Sequence, residues 1–434
     1  MPTPSLILVP ARFKTGKLYT PVATTSGGVV LGASGDFNVT RATTATRVNA
    51  SGLIEVVASG IPRLDYFASG GVVGCPALLV EPSAQNSVLR SQDFSATWAA
   101  TVSATVTGVT SPDGTANAST FIADSTSNRV RQSVSLVSGT TYTYSLFGKF
   151  DALSSGFTMN VFEENTTAYG SGVCQAFNLN EGTLGASGTV GAGFTLQSAG
   201  MENYGNGWYR CRMTVLMGYT TPSGATGGRV GFRIGTQIQS GRPLSVVSGS
   251  VSAWGAQIET GSVATSYIPT TTGSITRNAD VISVSGAVSG CIGQTEGTIY
   301  VEFEHTSNTA ERRLIALSDG TATNRCFIWA QNNILYMQIR GSDKIIVNPI
   351  PTGYNKVAFA YEQNGASGNM YASLNGGAIV SGTSSDYFTA DLNRVAIGNR
   401  ESITAGLQWN NRIRAAALYT TRLTDAQLAA LTAP

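Results

Sequence analysis

Residues 296–307 read EGTIYVEFEHTS, with Ile299, Val301 and Phe303 alternating with Tyr300, Glu302 and Glu304. Only an extended strand places every second side chain on one face. The same alternation runs through VRQSVSLVSGTTYTYSLFGKF (130–150), where Tyr142, Tyr144 and Leu146 alternate with Thr143, Ser145 and Phe147. It returns in NYGNGWYRCRMTVLM (203–217), in GSVSAWGAQIETG (249–261, with Trp254 and Ile258 expected inward) and in RCFIWAQNNILYMQIRG (325–341). Asn206-Gly207, Asn332-Asn333, Asn364-Gly365 and Asn375-Gly376 fall where hairpin turns belong, because Asn and Gly accept the positive φ that tight turns require. Short strands separated by turns at this spacing predict an all-β chain of β-sandwich or jelly-roll domains.

Composition agrees. Charged residues are 12% of the 434, half the usual ~25%, while 50 are glycine and 42% are hydrophobic. That apolar content is too high for a disordered chain. The net charge of +2 offers no electrostatic case for nucleic acid or an acidic membrane. Cys75, Cys174, Cys211, Cys291 and Cys326 are widely spaced and contain no CxxC, so they read as buried free thiols rather than zinc or redox motifs. SLILVP near the start is too short for a signal-peptide core, and no apolar run reaches ~18 residues. The expectation is a soluble protein assembled in a reducing cytoplasm.

Three blocks are expected along the chain. Residues 1–65 are irregular, rich in short apolar runs and proline, and read as an attachment or oligomerisation segment that packs on partners. Residues 66–272 read as a first sandwich, with Trp98, Trp208 and Trp254 in its core. Residues 273–434 read as a second sandwich, closed by a short helix, DAQLAALT, that Thr424 and Gln427 open as a capping box. The stretch SYIPTTTGSITRNAD (266–280) is the seam: Pro269 stops strand pairing, and the threonines form an extended linker. VTRAT at 39–43 faintly echoes ITRNA at 275–279.

FNVTRATTATRVNASGLIEVVASGIPRLDY, ALLVEPSAQNSVLRSQDF and WGAQIETGSVATSYIPTTTGSITRNADVISV resemble bacteriophage virion proteins of the head spike or head fibre family. The resemblance runs from residue 38 almost to the end, with SYIPTTTGSITRNAD and GNGWYR its more specific motifs. It implies a carbohydrate-binding-module-like jelly roll in the middle and a laminin-G/concanavalin-A-like sandwich at the C-terminus. It also implies a structural role on the virion surface, with residues 1–65 docked on capsid proteins. Homotrimers are the usual state of such fibres, with a dimer the alternative. A tail fibre acting as receptor-binding protein is the alternative placement, and a glycan depolymerase the alternative of a different class.

Candidate chemistry is sparse. His305 is the one histidine and has no serine elbow to serve, so it reads as a strand-end or surface residue. Glycoside hydrolysis needs two converging carboxylates, and Glu163-Glu164 or Glu302 with Glu304 are candidate pairs that read equally as the wet face of a strand. Asp319, Asp343 and Asp391 are candidate calcium ligands, of the kind laminin-G-like domains carry, or simply turn residues. Sugar binding needs an aromatic face beside amides and guanidinia. Trp409, Asn410, Asn411 and Arg412 form one such set, and Trp329, Asn332, Tyr336 and Arg340 another. The plainer reading puts Trp329 in the core and Trp409 over a sheet edge.

Overall fold

A computed structural model describes residues 2–20, the backbone of 22–23, and residues 35–68, 73–124, 128–151, 156–163, 171–218, 227–243, 248–286, 288–306, 309–402 and 406–434. Among the described residues the chain is all-β apart from one turn of 3-10 helix and the helix Asp425–Thr432. Thr424 caps that helix and Gln427 returns the bond, the full capping box.

Two antiparallel sandwiches take up most of the described strands, with three two-stranded ribbons beside them. In the first, six strands run in the order Ala99–Val102, Asn128–Val134, Gly228–Ile234, Gly156–Glu163, Gly172–Asn178, Thr183–Val190. The facing six run Ala104–Val109, Ala118–Asp124, Ser248–Thr260, Thr140–Phe150, Trp208–Met217, Phe194–Gly205. Tyr144, Leu146, Phe157, Phe177, Cys211, Met213 and Phe232 fill the space between them, with Trp98 among them as expected.

The second sandwich draws on both ends of the chain. Glu296–His305 pairs with Gly353–Asn364 on one side and Asn411–Tyr419 on the other. Asn411–Tyr419 in turn takes Leu6–Leu8 and Val73–Val80 as neighbours. In the opposite sheet Phe37–Thr40 pairs with Val281–Ser285, which leads through Arg394–Ile397 to the hairpins of residues 312–347. Residues 1–65 thus do not stand apart as a block. Leu6, Leu8, Leu18, Phe37 and Val39 are buried in the second core, because short apolar strands satisfy their backbone most readily on an existing sheet edge. The first sandwich is an insertion: the chain leaves the second sandwich after Val80 and re-enters at Val281. Its neck is a two-stranded ribbon pairing Ala84–Asn86 with Ile275–Arg277.

A bulge decides what the insertion presents to its host. The register of Thr140–Phe150 against Ser248–Thr260 shifts between Ser145 and Phe147, opposite Gly255, whose φ is +64°. The extra residue turns Trp254 to the face opposite Ile258, correcting the expectation that both point inward. Trp254 instead joins Phe147, Trp208, Tyr267 and the hairpin residues Val48 and Ile54 in a separate cluster at the seam. That hairpin is Ala45–Val48 with Ile54–Val57.

The threonine stretch at the seam is not a loose linker. Tyr267 and Ile268 are buried, the Ile268 N–H donates to Gln257 Oε1 at 2.7 Å, and the Thr270 hydroxyl donates to the Val88 carbonyl at 2.6 Å. Below it lies a buried ionic knot. Arg63 Nη1 donates to Glu81 Oε2 at 2.6 Å and its Nη2 donates to Asp280, while Arg41 Nη1 meets Asp280 Oδ1 at 2.9 Å and Arg277 donates to Glu81. The Ser266 N–H and hydroxyl both donate to Glu81 at 2.7 Å. Burial pushes the Glu81 carboxyl up, but Arg277 and Arg63 more than offset it and hold it well below the usual carboxylate range. Three guanidinia face two carboxylates. Arg41 settles the imbalance on the backbone carbonyls of Thr43, Ile61 and Ala58. The VTRAT/ITRNA echo is a shared placement, since it brings Arg41 and Arg277 to the same knot.

Removing one member of a buried ion pair leaves the other uncompensated, which costs about 3–5 kcal/mol. Arg63→Met should therefore lower the unfolding free energy by about that amount in urea titrations. A loss under about 1 kcal/mol would show that the knot is not what secures the seam.

Candidate functional site

Where the two sandwiches meet, a cleft of about 810 Å³ opens. Each wall comes from a regular element. Period two on Trp208–Met217 sends Cys211 and Met213 into the first core and Arg210 and Arg212 to the opposite face, toward the cleft. The neighbouring strand adds Glu202 and Tyr204. The second sandwich supplies Glu304 and His305 from the end of Glu296–His305, and Asn410, Asn411 and Arg412 from the start of Asn411–Tyr419 and the residue before it. Arg47, Asp65 and Phe67 close the cleft from the N-terminal side.

Ion pairs hold these groups in place. Arg412 Nε donates to Asp65 Oδ1 at 2.6 Å and its Nη1 to Glu304 Oε2 at 2.8 Å, with the guanidinium 4.8 Å from the centre of the Phe67 ring. Burial would lower the Arg412 pKa, but Asp65 and Glu304 outweigh it and drive it well up, so the charge is permanent. Phe67 packs on Tyr204 at 4.7 Å, and Tyr204 packs edge-on against Phe147 at 4.9 Å. Arg210 Nη2 donates to Ser145 Oγ at 3.1 Å and lies 5.5 Å over the Phe147 ring. Arg47 pairs with Glu55 at 2.6 Å, and Arg212 reaches Glu202 at 3.9 Å. The result is a lattice of guanidinia and carboxylates beside aromatic rings, fixed before any ligand arrives.

The sequence-predicted residues divide between two places. Asn410, Asn411 and Arg412 stand in the cleft wall, but Trp409 does not. Trp409 is 4% exposed, its indole N–H donates to the Glu304 carbonyl at 3.0 Å, and its ring meets Phe303 edge-to-face at 5.2 Å. It is core, and offers no face to a sugar. Trp329 and Tyr336 are cross-strand neighbours on the other sheet, stacked on each other at 4.4 Å. Trp329 donates to Asp343 Oδ1 at 2.9 Å and is half-buried rather than core. Asn332 is exposed at the hairpin tip with φ +52°, and Arg340 lies past the strand's other end, donating to the Tyr387 carbonyl at 2.9 Å. The second set is therefore spread over a strand's length, and only Trp329 and Tyr336 are brought together.

The remaining candidates are accounted for by local partners. Glu304 meets Arg412, and Glu302 meets Arg414 at 2.9 Å. Glu164 lies outside the described residues, so Glu163-Glu164 is not assessed as a pair. Asp319 accepts from the Thr321 N–H and hydroxyl and from Asn324, the bonding of a turn. Asp319, Asp343 and Asp391 are not gathered with other ligands into a metal-holding group among the described residues. Four cysteines are buried and Cys75 is exposed, against the expectation of buried thiols throughout.

His305 ends its strand as expected but is 3% exposed, not a surface residue. Arg47, Asp65, Tyr204, Glu202, Arg210 and Arg212 were missed. The one readable signal was the pair of arginines two apart in GNGWYRCR, on the face the core does not use.

No protein-family model matches the chain, and no curated protein matches it. Solved structures similar to part of it include the Ruminococcus gnavus IT-sialidase CBM40 bound to alpha2,3 sialyllactose, at 18% identity and TM-score 0.30, covering 34% of this chain and 88% of that one. The leech intramolecular trans-sialidase is similar at 15% identity and TM-score 0.29, over 35% of this chain and 26% of that one. The binding domain of Botulinum neurotoxin DC, in complex with rat synaptotagmin II, is similar at 13% identity and TM-score 0.28, over 36% of this chain and 40% of that one. Likenesses this partial say nothing about what this chain binds.

Burial holds the His305 pKa below the ordinary imidazole value of about 6.5, with the Pro351 carbonyl and Asn333 opposing the shift. In the unfolded chain the imidazole takes its proton near pH 6.5, and in the folded chain only at lower pH. Stability from this group is thus full above about pH 6.5 and declines as pH falls below it. His305→Gln should flatten the slope of unfolding free energy against pH in that window relative to wild type. Parallel slopes for the two proteins would show that His305 is not a titrating group of the fold.

Proposed function

We propose that this chain is a non-catalytic, glycan-binding structural protein of a bacteriophage virion, displayed as a head spike or fibre, with the inter-sandwich cleft as its saccharide site. The observation that supports the binding role is the cleft itself. Guanidinia, carboxylates and amides at fixed positions beside Phe67 and Tyr204 are the donors, acceptors and apolar rings that a pyranose requires. The virion placement rests on the family resemblance from residue 38 onward. In this reading the part of the second sandwich that carries the N-terminal strands docks on the capsid, the chain assembles as a homotrimer in the host cytoplasm, and the first sandwich projects outward. Many copies per particle turn a weak contact into useful avidity.

Arg212 and Glu202 are partly exposed in the cleft and take no part in the ion pairs of the knot, so they test binding without testing folding. Arg212→Ala and Glu202→Ala should each weaken a glycan found by array screening by about tenfold, or about 1.4 kcal/mol, with the thermal midpoint little changed. Trp329→Ala should leave that affinity as it was. Loss of binding in Trp329→Ala alone would move the site to the outer sheet face. Cryo-electron microscopy of the particle should place the chain on capsid capsomers with threefold copies. Density at the tail tip would make it a tail fibre instead.

A further inference from the structure

The charges in the cleft say which class of saccharide it takes. Among the described residues, the lining carries Arg47, Arg210, Arg212 and Arg412, and against these stand Asp65, Glu181, Glu202 and Glu304. Four cations minus four anions leaves no net charge, and no lysine lines the cleft. Three of the four guanidinia are also engaged by carboxylates before a ligand comes, Arg412 by two, Arg47 by Glu55 and Arg212 by Glu202, while Arg210 donates to the Ser145 hydroxyl. A ligand carboxylate at any of those three would have to displace a protein carboxylate, and one at Arg210 would meet the field of Glu202. The cleft has no surplus positive field to repay the desolvation of an anion.

What the cleft leaves unfilled is neutral hydrogen bonding. Among the described residues, Arg47 Nη1 and Arg210 Nε are buried donors with no acceptor, and Asn410 Oδ1 is a buried acceptor with no donor. All three belong to residues that line the cleft. A buried polar atom without a partner costs about 1–3 kcal/mol, so a side-chain turn that brings each from its covered position to a bound hydroxyl recovers that cost. A hydroxyl both donates and accepts, and one ligand type can serve both kinds of orphan.

We infer that the cleft selects neutral, hydroxyl-rich oligosaccharides over sialylated or uronic-acid glycans. This inference rests on the glycan-binding reading of the same cleft. Asn410 supplies an acceptor for a sugar hydroxyl, and Arg47 and Arg210 supply donors.

The test uses the full chain on an array of neutral oligosaccharides and their sialylated or uronic-acid counterparts, followed by calorimetry on the strongest glycan at low and high salt. The expected result is binding to neutral glycans, with affinity changing less than about twofold across the salt range. Asn410 has φ +64°, which glycine also adopts, so Asn410→Gly removes the acceptor without straining the turn. That variant should bind the neutral glycan about tenfold more weakly. Preference for acidic glycans, with affinity falling steeply in salt, would overturn the inference and leave the glycan reading standing. Full affinity in Asn410→Gly would also overturn it. No binding to either class by the folded chain would remove both.

Discussion

Everything in this molecule hangs on five charged side chains closed off from water. Glu81 and Asp280 sit where the chain leaves the second sandwich and where it returns, and Arg41, Arg63 and Arg277 bridge them. Ions this deeply buried lose much of their hydration, and their mutual attraction repays that only when every oxygen and N–H is well directed. Here the carboxylates also accept from backbone and hydroxyl donors, the Glu81 N–H and Ser266 among them, and of the guanidinium nitrogens only the Nε of Arg63 and of Arg277 are left buried without a partner among the described residues. An apolar cluster in the same place would tolerate sliding. A knot of directed bonds does not, and so it fixes the angle at which the insertion stands on its host. The cleft exists because that angle is fixed.

The strands, their turns and the terminal helix were legible in the sequence because each is written locally. Asn206-Gly207, Asn332-Asn333 and Asn375-Gly376 turn with positive φ at both residues, as their types demand. Thr424 needs only Gln427 to cap the helix. The seam was legible as a place, since Pro269 and the threonines mark it, but its nature was not. Arg63 finds Asp280 across 217 positions and Arg412 finds Asp65 across 347. No periodicity records a meeting at that distance.

The candidate site divides along the same line. Asn410, Asn411 and Arg412 could be picked out because amides and a guanidinium sit together in sequence. Trp409 was drawn in by the same adjacency, and alternation along the chain points it the other way, into Phe303. Trp254 was misplaced for a related reason: one bulge at Gly255 exchanges the two faces of a strand. Of the aromatics that do line the cleft, Tyr204 lies on an edge strand of the insertion and meets Phe67 from the host. A site assembled from two bodies has no contiguous signature.

The neck of the insertion carries a consequence for how such proteins diversify. Both ends of the first sandwich pass through one ribbon, and at its base the Asp280 N–H donates to the Glu81 carbonyl at 3.0 Å. To its host, the entire sandwich is a loop whose ends already touch. Recombination that exchanges everything above the ribbon keeps the host's core and all five charged residues of the knot, and gives up only the Ser266 contacts to it. Lengthening such a loop adds little closure entropy, because that cost grows only with the logarithm of length. One wall of the cleft is then replaced wholesale while the other is inherited, so a single genetic step remakes half of its lining and keeps the same scaffold.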